Sequence, residues 1–337
     1  MTATHTFFRR PRLRPGVDVD RTADGFAIGY RRQGVDLAVP PGAADEFGRL
    51  LDLLRAGAPP GELAAAAPGL GDIDGLLDEL DRLGLLTEGA PPDPVRGMDG
   101  VELYRLVRRF AARLQATVCD SRLYRAMVSG EATRNQLVGY AVEYHYVVRH
   151  SPALIAPALA HAWEPAAFDI LQRFLAEEIG HDQLTAGALA AAGVPVSRLS
   201  YVQPLPATAS VCATLGATAA QDPLSFAACL FLVEEPAGEF NRAFAARAAE
   251  VGLPSAFIEP LLEHSGINDD AGHADVSREL LATVGYVGTE HRQAVLKQVT
   301  AMVESLARME VEILGHYAGD ELRLREFHPG PAPGTSG

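Results

Sequence analysis

Acidic and imidazole side chains occur together at helical spacing in apolar parts of the sequence. Glu143 and His150 lie seven positions apart, in a stretch from Tyr140 to His150 without Gly or Pro. At roughly 100° per residue, they fall about 20° apart on one helix face. Asp270 and His273 form a second pair, at i, i+3 spacing. Such groups are costly inside a bundle unless they pair or bind a metal, so we predict that the two pairs meet at a metal ion.

A further carboxylate ends an apolar helix. Glu234 and Glu235 follow the run 226–233 and precede Pro236, which would kink the helix. One of two adjacent carboxylates normally faces solvent, so we predict Glu234 as a ligand and Glu235 as its alternative. Carboxylates mixed with imidazoles, without thiolates, suit iron or manganese better than structural zinc.

A second acidic and imidazole pair lies between these helices. Glu178 comes three positions before His181 in the sequence Glu-Glu-Ile-Gly-His-Asp. We predict that Glu178 and His181 form a buried hydrogen-bonded network that supports the site, with direct metal binding as the alternative.

Length and composition limit the class of protein. The chain has 337 residues, 48% of them hydrophobic and 21% charged, which is typical of a globular protein with one or two domains. Its net charge of −14 argues against nucleic acid as the main partner. The three cysteines form no CxxC pattern, and neither a signal sequence nor a long apolar run is evident. We therefore expect a cytoplasmic protein that does not bind membranes; a homodimer is left open.

The first part of the chain alternates between short extended and helical patterns. Turn signals at Gly and Pro and the spacing of Leu predict three strands and three helices, at 17–20, 25–30 and 35–40 and at 42–56, 61–67 and 72–86. This composition favours a small α+β module of the winged-helix type.

Three local patterns give this module a resemblance. They are Arg-x-Arg-Pro-Gly at 12–16, a third strand running into Pro-Pro-Gly at 40–42, and a closing Leu-Asp-x-Leu-x-x-x-Gly-Leu-Leu at 77–86. Residues 11–88 thereby resemble the PqqD-like recognition element of ribosomal peptide biosynthesis.

The resemblance implies a partner for this domain. In that family a leader peptide adds a strand beside the third strand and packs against the last helix. Carried over, the peptide-binding residues would be Val35, Leu37, Val39, Ile73, Leu77 and Leu80. The alternative is a generic winged helix that only supports its neighbour.

A proline-rich segment at 89–99 predicts a linker, followed by a helical domain at 100–325 and a flexible tail at 326–337. Breaks at Gly and Pro predict helices at 100–117, 120–129, 132–150, 152–162, 165–192, 206–219, 222–251, 254–265, 267–284 and 288–317.

The second domain also resembles a known family. Glu143-x6-His150, Glu234 and Asp270-x2-His273 match the haem-oxygenase-like helical bundle shared with TenA and PqqC, and within it the non-haem di-iron oxidases and oxygenases. The resemblance implies Fe(II) as cofactor, with two ions or with Mn instead, and O2 as co-substrate.

One position departs from that family's pattern, His-x3-Asp-x2-His. Gly266 stands where its first His is expected. His264 lies six positions before Asp270, about 120° off the face of a continuous helix, so it would need a break at Ser265–Gly266 to turn inward. Asp269 is a substitute ligand. Without either residue, the site would hold one metal or be degenerate.

These expectations combine into an iron-dependent enzyme that modifies a leader-bound ribosomal peptide by hydroxylation, desaturation or oxidative cleavage. Two alternatives stay open. One is a non-catalytic adaptor that delivers a precursor peptide. The other is a metal-free enzyme like PqqC or TenA, for which Cys229 would be the candidate nucleophile.

Overall fold

The computed structural model describes residues 8–22, 25–30, 33–40, 42–89, 97–118, 121–234, 238–270 and 275–327. The chain divides into two compact units, Met1–Val95 and Arg96–Gly337. The division falls inside the proline-rich segment predicted as a linker.

The first unit contains two small antiparallel sheets. A three-stranded sheet has the order β2-β3-β4, and β1 pairs with β5 in a second sheet. Opposite Phe26 and Ile28 on β3 stand Leu37 and Val35 on β4. Among the described strands β4 pairs with β3 alone, so its other edge is a sheet edge. The strands are β1 Pro11–Leu13, β2 Val17–Arg21, β3 Gly25–Tyr30, β4 Gln33–Ala38 and β5 Leu86–Glu88.

Three helices complete this unit: α1 Ala44–Ala56, α2 Pro60–Ala66 and α3 Ile73–Arg82. Helix α1 ends at Gly57, which adopts a left-handed conformation with φ of 78° that favours glycine. The ring of Phe47 lies 4.8 Å from that of Phe26 on β3, joining helix and sheet in one core. The three predicted strands correspond to β2, β3 and β4 and the three predicted helices to α1, α2 and α3. Strands β1 and β5 were not predicted, and the last helix ends at Arg82 and not at residue 86.

The prediction of a peptide-binding surface is wrong for three of its six residues. Ile73, Leu77 and Leu80 are at most 6% exposed and belong to the core of the unit itself. Their spacing marks the face of α3 that packs inward, and such a face is not available to a peptide. Leu37 and Val39 are half-buried, and the side chain of Val35 lies outside the described residues.

The second unit is a helical bundle. Its helices are α4 Gly100–Val118, α5 Arg122–Val128, α6 Arg134–Ile155, α7 Pro165–Glu178, α8 Asp182–Ala191, α9 Val196–Leu199, α10 Pro206–Gln221, α11 Pro223–Cys229, α12 Phe231–Glu234, α13 Gly238–Glu250, α14 Ser255–Asp270, α15 Val276–Ala282 and α16 Thr289–His316. None of the described helices combines the length and apolar composition needed to cross a bilayer.

Helix α6 begins at a capping box. The Thr133 side chain accepts from the Gln136 backbone, and the Gln136 side chain accepts from the Thr133 backbone, so two helix-terminal N–H groups are satisfied. The helix then continues through Pro152 to Ile155 and ends in a 3-10 turn at Ala156–Ala160. The predicted separate helix at 152–162 is therefore wrong.

Further helix boundaries also differ from the prediction. The predicted helix 165–192 is divided into α7 and α8, because Gly180 has a φ of 99°, outside the helical range. Helix α14 instead runs without a break through Ser265 and Gly266 to Asp270, so the turn considered there is absent.

The beginning of the predicted tail is packed onto the bundle. Glu326 forms a β-bridge with Val202 and an ion pair with Arg198. The bundle therefore extends at least to Phe327, whose N–H donates to the carbonyl of Tyr201.

Candidate metal centre

A cavity lies in the bundle, lined by residues from α6, α7, α10, α11, α12 and α14 and by Leu230; its space, including its opening to solvent, is about 510 Å³. Most of its wall is apolar. The polar side chains on it are Tyr144, Ser151, Glu178, Glu234 and His264. The apolar side chains include Val147, Leu154, Leu215, Phe226, Leu230 and Val233.

Glu178 and His181 flank the break between α7 and α8. Glu178, the last residue of α7, is 3% exposed. Its Oε2 accepts a hydrogen bond from the Ser151 hydroxyl at 2.7 Å. Its Oε1 lies 3.5 Å from Nδ1 of His181. The break thus turns a carboxylate and an imidazole toward the same part of the bundle, with Ser151 holding the carboxylate from α6.

His264 lies on helix α14, which packs against α8. The ring of His264 lies 5.0 Å from that of His181 in an edge-on arrangement, and Nδ1 of His264 is 2.7 Å from the Tyr144 hydroxyl. His264 is 3% exposed, so a continuous α14 brings this side chain inward without the break that the sequence led us to require.

The Tyr144 phenol on the cavity wall is protonated. Burial raises the pKa of Tyr144 well above its usual value, and the nearby Tyr140, Glu234 and Glu178 raise it further. The phenol therefore stays protonated across the physiological range. Glu178 and Glu234 are the acidic groups on the described cavity wall.

Glu143 takes part in a different network. Its Oε2 accepts from the Leu205 N–H at 2.9 Å and its Oε1 from the Tyr317 hydroxyl at 3.0 Å. Leu205 is the residue before α10, where a carboxylate is favoured by the unsatisfied N–H groups and the helix dipole. Glu143 is 1% exposed and is absent from the described lining of the cavity.

His150 is likewise directed elsewhere. Its Nδ1 donates to the carbonyl of Tyr146 at 2.7 Å, and its ring stacks on the Tyr146 ring. The two side chains are about 10 Å apart along the helix axis, and their described contacts are with different partners. Their role as metal ligands stays a prediction.

Several predicted ligands fall outside the described part of the chain. These are the Asp270 side chain, the Asp269 side chain, His273 and Glu235. Within the residues that the structure describes, no three His, Cys, Asp or Glu side chains are arranged to hold a metal ion.

The two cysteines that the structure describes are poor candidates for a nucleophile. Cys212 and Cys229 are buried free thiols, and Cys119 lies outside the described residues. Burial raises the pKa of Cys212 to about 11 and that of Cys229 to about 12. A buried, protonated thiol is a poor nucleophile, which disfavours the TenA-like alternative that rests on Cys229.

The sequence contained a signal for the residues at this cavity. Glu178-x2-His181 has the same i, i+3 spacing as Asp270-x2-His273. We predicted a buried hydrogen-bonded network for this pair, with metal binding as the alternative; Glu178 lies on the cavity and His181 beside both Glu178 and His264, and the role of the pair stays a prediction.

Comparison with known proteins defines the class. The model of the family described as "Iron-containing redox enzyme" matches residues 138–307, half of the chain. This chain belongs to that family. No curated protein matches it in sequence.

Solved structures show the same fold in the bundle. A domain of unknown function with a heme oxygenase-like fold from Shewanella denitrificans OS217 is 20% identical, with a TM-score of 0.55, over 66% of this chain and 94% of that one. A TenA homolog from Pseudomonas syringae pv. tomato DC3000 is 17% identical, with a TM-score of 0.53, over 65% and 98%. The predicted haem-oxygenase-like, mainly helical fold is confirmed.

The side chains at and beside the cavity are of the donor types that bind iron. Glu178, Glu234, His181 and His264 supply two carboxylates and two imidazoles without a thiolate, the donor types that non-haem iron uses. They come from separate elements of the bundle, as ligands of a bundle-core iron site do.

Proposed function

We propose that the protein is an iron-dependent oxidoreductase that uses O2, with its iron at the cavity of Glu178, Glu234 and His264. The observation that supports this is the single cavity wall that Glu178, Glu234 and His264 share, with His181 beside His264, in a member of the iron-containing redox enzymes. Asp270 and His273 would complete the donor set. Six donors are enough for two ions; Mn is the alternative metal.

The surrounding residues would position the ligands. Because Nδ1 of His264 is engaged by the Tyr144 hydroxyl, coordination would use Nε2, with Nδ1 protonated and donating to the phenol oxygen. Ser151 orients Glu178 through its hydrogen bond to Oε2. The apolar wall excludes water from the substrate. Bound iron supplies electrons to O2 and so allows oxidation of a substrate bond that is otherwise inert.

We further propose that the substrate is a ribosomal peptide held by the first unit. Strand β4 ends a three-stranded sheet, and a leader peptide would pair with its other edge through backbone hydrogen bonds. Leu37 and Val39, which are half-buried, would contact alternate side chains of that peptide. Tethering raises the effective concentration of the core peptide at the cavity.

Turnover of a precursor peptide tests this function. The full chain would be loaded with Fe(II) without oxygen, mixed with the precursor encoded beside it, and exposed to O2, with the mass of the peptide as readout. We expect a modified peptide with the native chain and none with Glu178→Gln. A peptide that binds but is never modified by iron-loaded protein would support the adaptor instead.

Strand addition has its own test. Leader peptides methylated on alternate backbone nitrogens would be titrated into the full chain. An added strand directs every second N–H at its partner. Methylation of the nitrogens that face β4 should therefore abolish binding, and methylation of the intervening nitrogens should leave binding nearly unchanged. Equal binding of both sets would contradict pairing at an edge.

A further inference from the structure

We infer that the peptide added at β4 has aliphatic side chains that alternate with lysines or arginines, and that its basic side chains lie on the solvent face of the sheet. This inference rests on the proposed pairing of a leader peptide with β4 and specifies the chemistry of that peptide. It follows from the different character of the two faces of the sheet, both of which an added strand would extend.

The inner face of the sheet is apolar. Phe26 and Ile28 on β3 are 6% and 1% exposed, and the register places Leu37 and Val35 of β4 opposite them. Leu37 is half-buried and ends its row at the free edge. Alternate residues of a strand point to the same face, so every second residue of an added strand would extend these rows. An aliphatic side chain beside Leu37 would cover the apolar surface that Leu37 still exposes.

The solvent face of the same sheet is acidic. Asp20, Ala27 and Asp36 form a row across β2, β3 and β4, and Asp18, two positions before Asp20, lies on the same face. All three aspartates are exposed. Asp36 ends its row at the free edge, so a residue of an added strand would lie one strand spacing, about 4.8 Å, from it. Lysine or arginine at that position would form a favourable cross-strand pair, whereas aspartate or glutamate would be repelled.

This charge is not offset within the described part of the sheet. Residues 1–95 contain 15 Asp and Glu and 10 Arg, without Lys. Among the described residues of the three strands the one cation is Arg21, whose guanidinium lies 3.4 Å from the carboxylate of Asp45 on α1. Arg31 and Arg32 come before Gln33, where β4 begins, and Asp36 lies about 10 Å farther along that strand. The nearest described charge to an added strand is therefore that of Asp36.

Three probe peptides measure the predicted preference. The peptides share valine at every second position, and their intervening positions are all lysine, all glutamine or all glutamate. Fluorescence anisotropy would give their affinities for the full chain at low salt and at about 1 M salt, where the Debye length is about 3 Å. We expect the lysine peptide to bind about fivefold or more tighter than the glutamine peptide, the glutamate peptide to bind most weakly, and high salt to remove most of the difference.

The outcomes separate this inference from the proposed strand addition. Equal affinity of the three peptides would overturn the inference and leave strand addition intact, because backbone pairing does not depend on the charge of the side chains. A lack of saturable binding by all three peptides would overturn both.

Charge reversal at the edge locates the binding site. Asp36→Lys should weaken binding of the lysine peptide by about fivefold or more and strengthen binding of the glutamate peptide. Asp52→Lys is the matched control, since Asp52 is exposed on α1 and its substitution changes the net charge by the same amount. It should leave the order of the three affinities unchanged. Equal effects of the two variants would show that the lysine peptide responds to net charge alone, and would overturn the inference.

Discussion

The Tyr144 hydroxyl lies 2.7 Å from Nδ1 of His264, and this contact joins α6 to α14 at the cavity. It fixes the orientation of an imidazole that the sequence alone left uncertain. It also connects the part of the bundle core around Tyr144 to the wall on which Glu178 and Glu234 lie.

Removal of this contact should weaken metal binding. In Tyr144→Phe the ring of His264 loses the partner that holds its Nδ1, and loss of such a partner typically costs about 10- to 100-fold in metal affinity. Competition with a chelator for Fe(II), without oxygen, measures the change. Tyr146→Phe is the control, since Tyr146 stacks on His150 and should retain native affinity; equal affinity in both variants would contradict the role of Tyr144.

The sequence predicted helices well and their breaks poorly. Leu periodicity and Gly or Pro boundaries predicted three strands and three helices of the first unit, without β1 and β5, and most helical segments of the bundle. Pro152 was expected to end a helix, yet it lies within α6. Gly180 was expected to be helical, yet its φ of 99° divides α7 from α8. Whether one Gly or Pro interrupts a helix depends on tertiary packing, which local pattern does not contain.

The metal site stays a prediction, and the contacts around its proposed members could be read from the sequence only in part. Of the predicted ligands, Glu234 and His264 lie on the cavity wall. Glu143 instead accepts from Leu205 and Tyr317. These partners are 62 and 174 positions away, so no local spacing could reveal that its oxygens were engaged.

Close packing at Gly139 should make an added methyl group destabilising. A Cβ there would lie 2.2 Å from the Tyr317 ring, the ring whose hydroxyl donates to Glu143. We expect Gly139→Ala to lower the free energy of unfolding by about 1–3 kcal/mol, as measured by urea denaturation. Gly187→Ala is the control, since its Cβ would meet nothing within 4 Å. There the better helix propensity of Ala should preserve or raise stability; the same loss in both would argue against the Tyr317 contact.

Acid should destabilise the protein through His145. Burial lowers its pKa from 6.5 to about 4, and its Nδ1 is hydrogen-bonded to Thr185. Below pH 6.5 His145 binds a proton in the unfolded state, whereas in the folded state it stays neutral down to about pH 4. This stabilising contribution is therefore complete above pH 6.5 and is lost between those values, by at most about 3 kcal/mol.

Urea denaturation at pH 7 and pH 4.5 measures this effect. The loss of stability on acidification should be smaller in His145→Gln than in the native protein, because the titrating group is gone. His291→Gln, a change at an exposed histidine, should leave the pH dependence as it is. An unchanged pH dependence in His145→Gln would show that His145 is not the group responsible.

The assignment of the metal ligands is tested most directly by iron content after anaerobic loading with Fe(II), compared between Glu178→Gln and Glu143→Gln. Both substitutions change a buried carboxylate to an amide, and the folded state of each is verified by circular dichroism. We predict that Glu178→Gln loses most of its iron, whereas Glu143→Gln keeps native stoichiometry and loses only stability, by about 1–3 kcal/mol. Full iron content in folded Glu178→Gln, with iron lost from folded Glu143→Gln, would contradict this assignment.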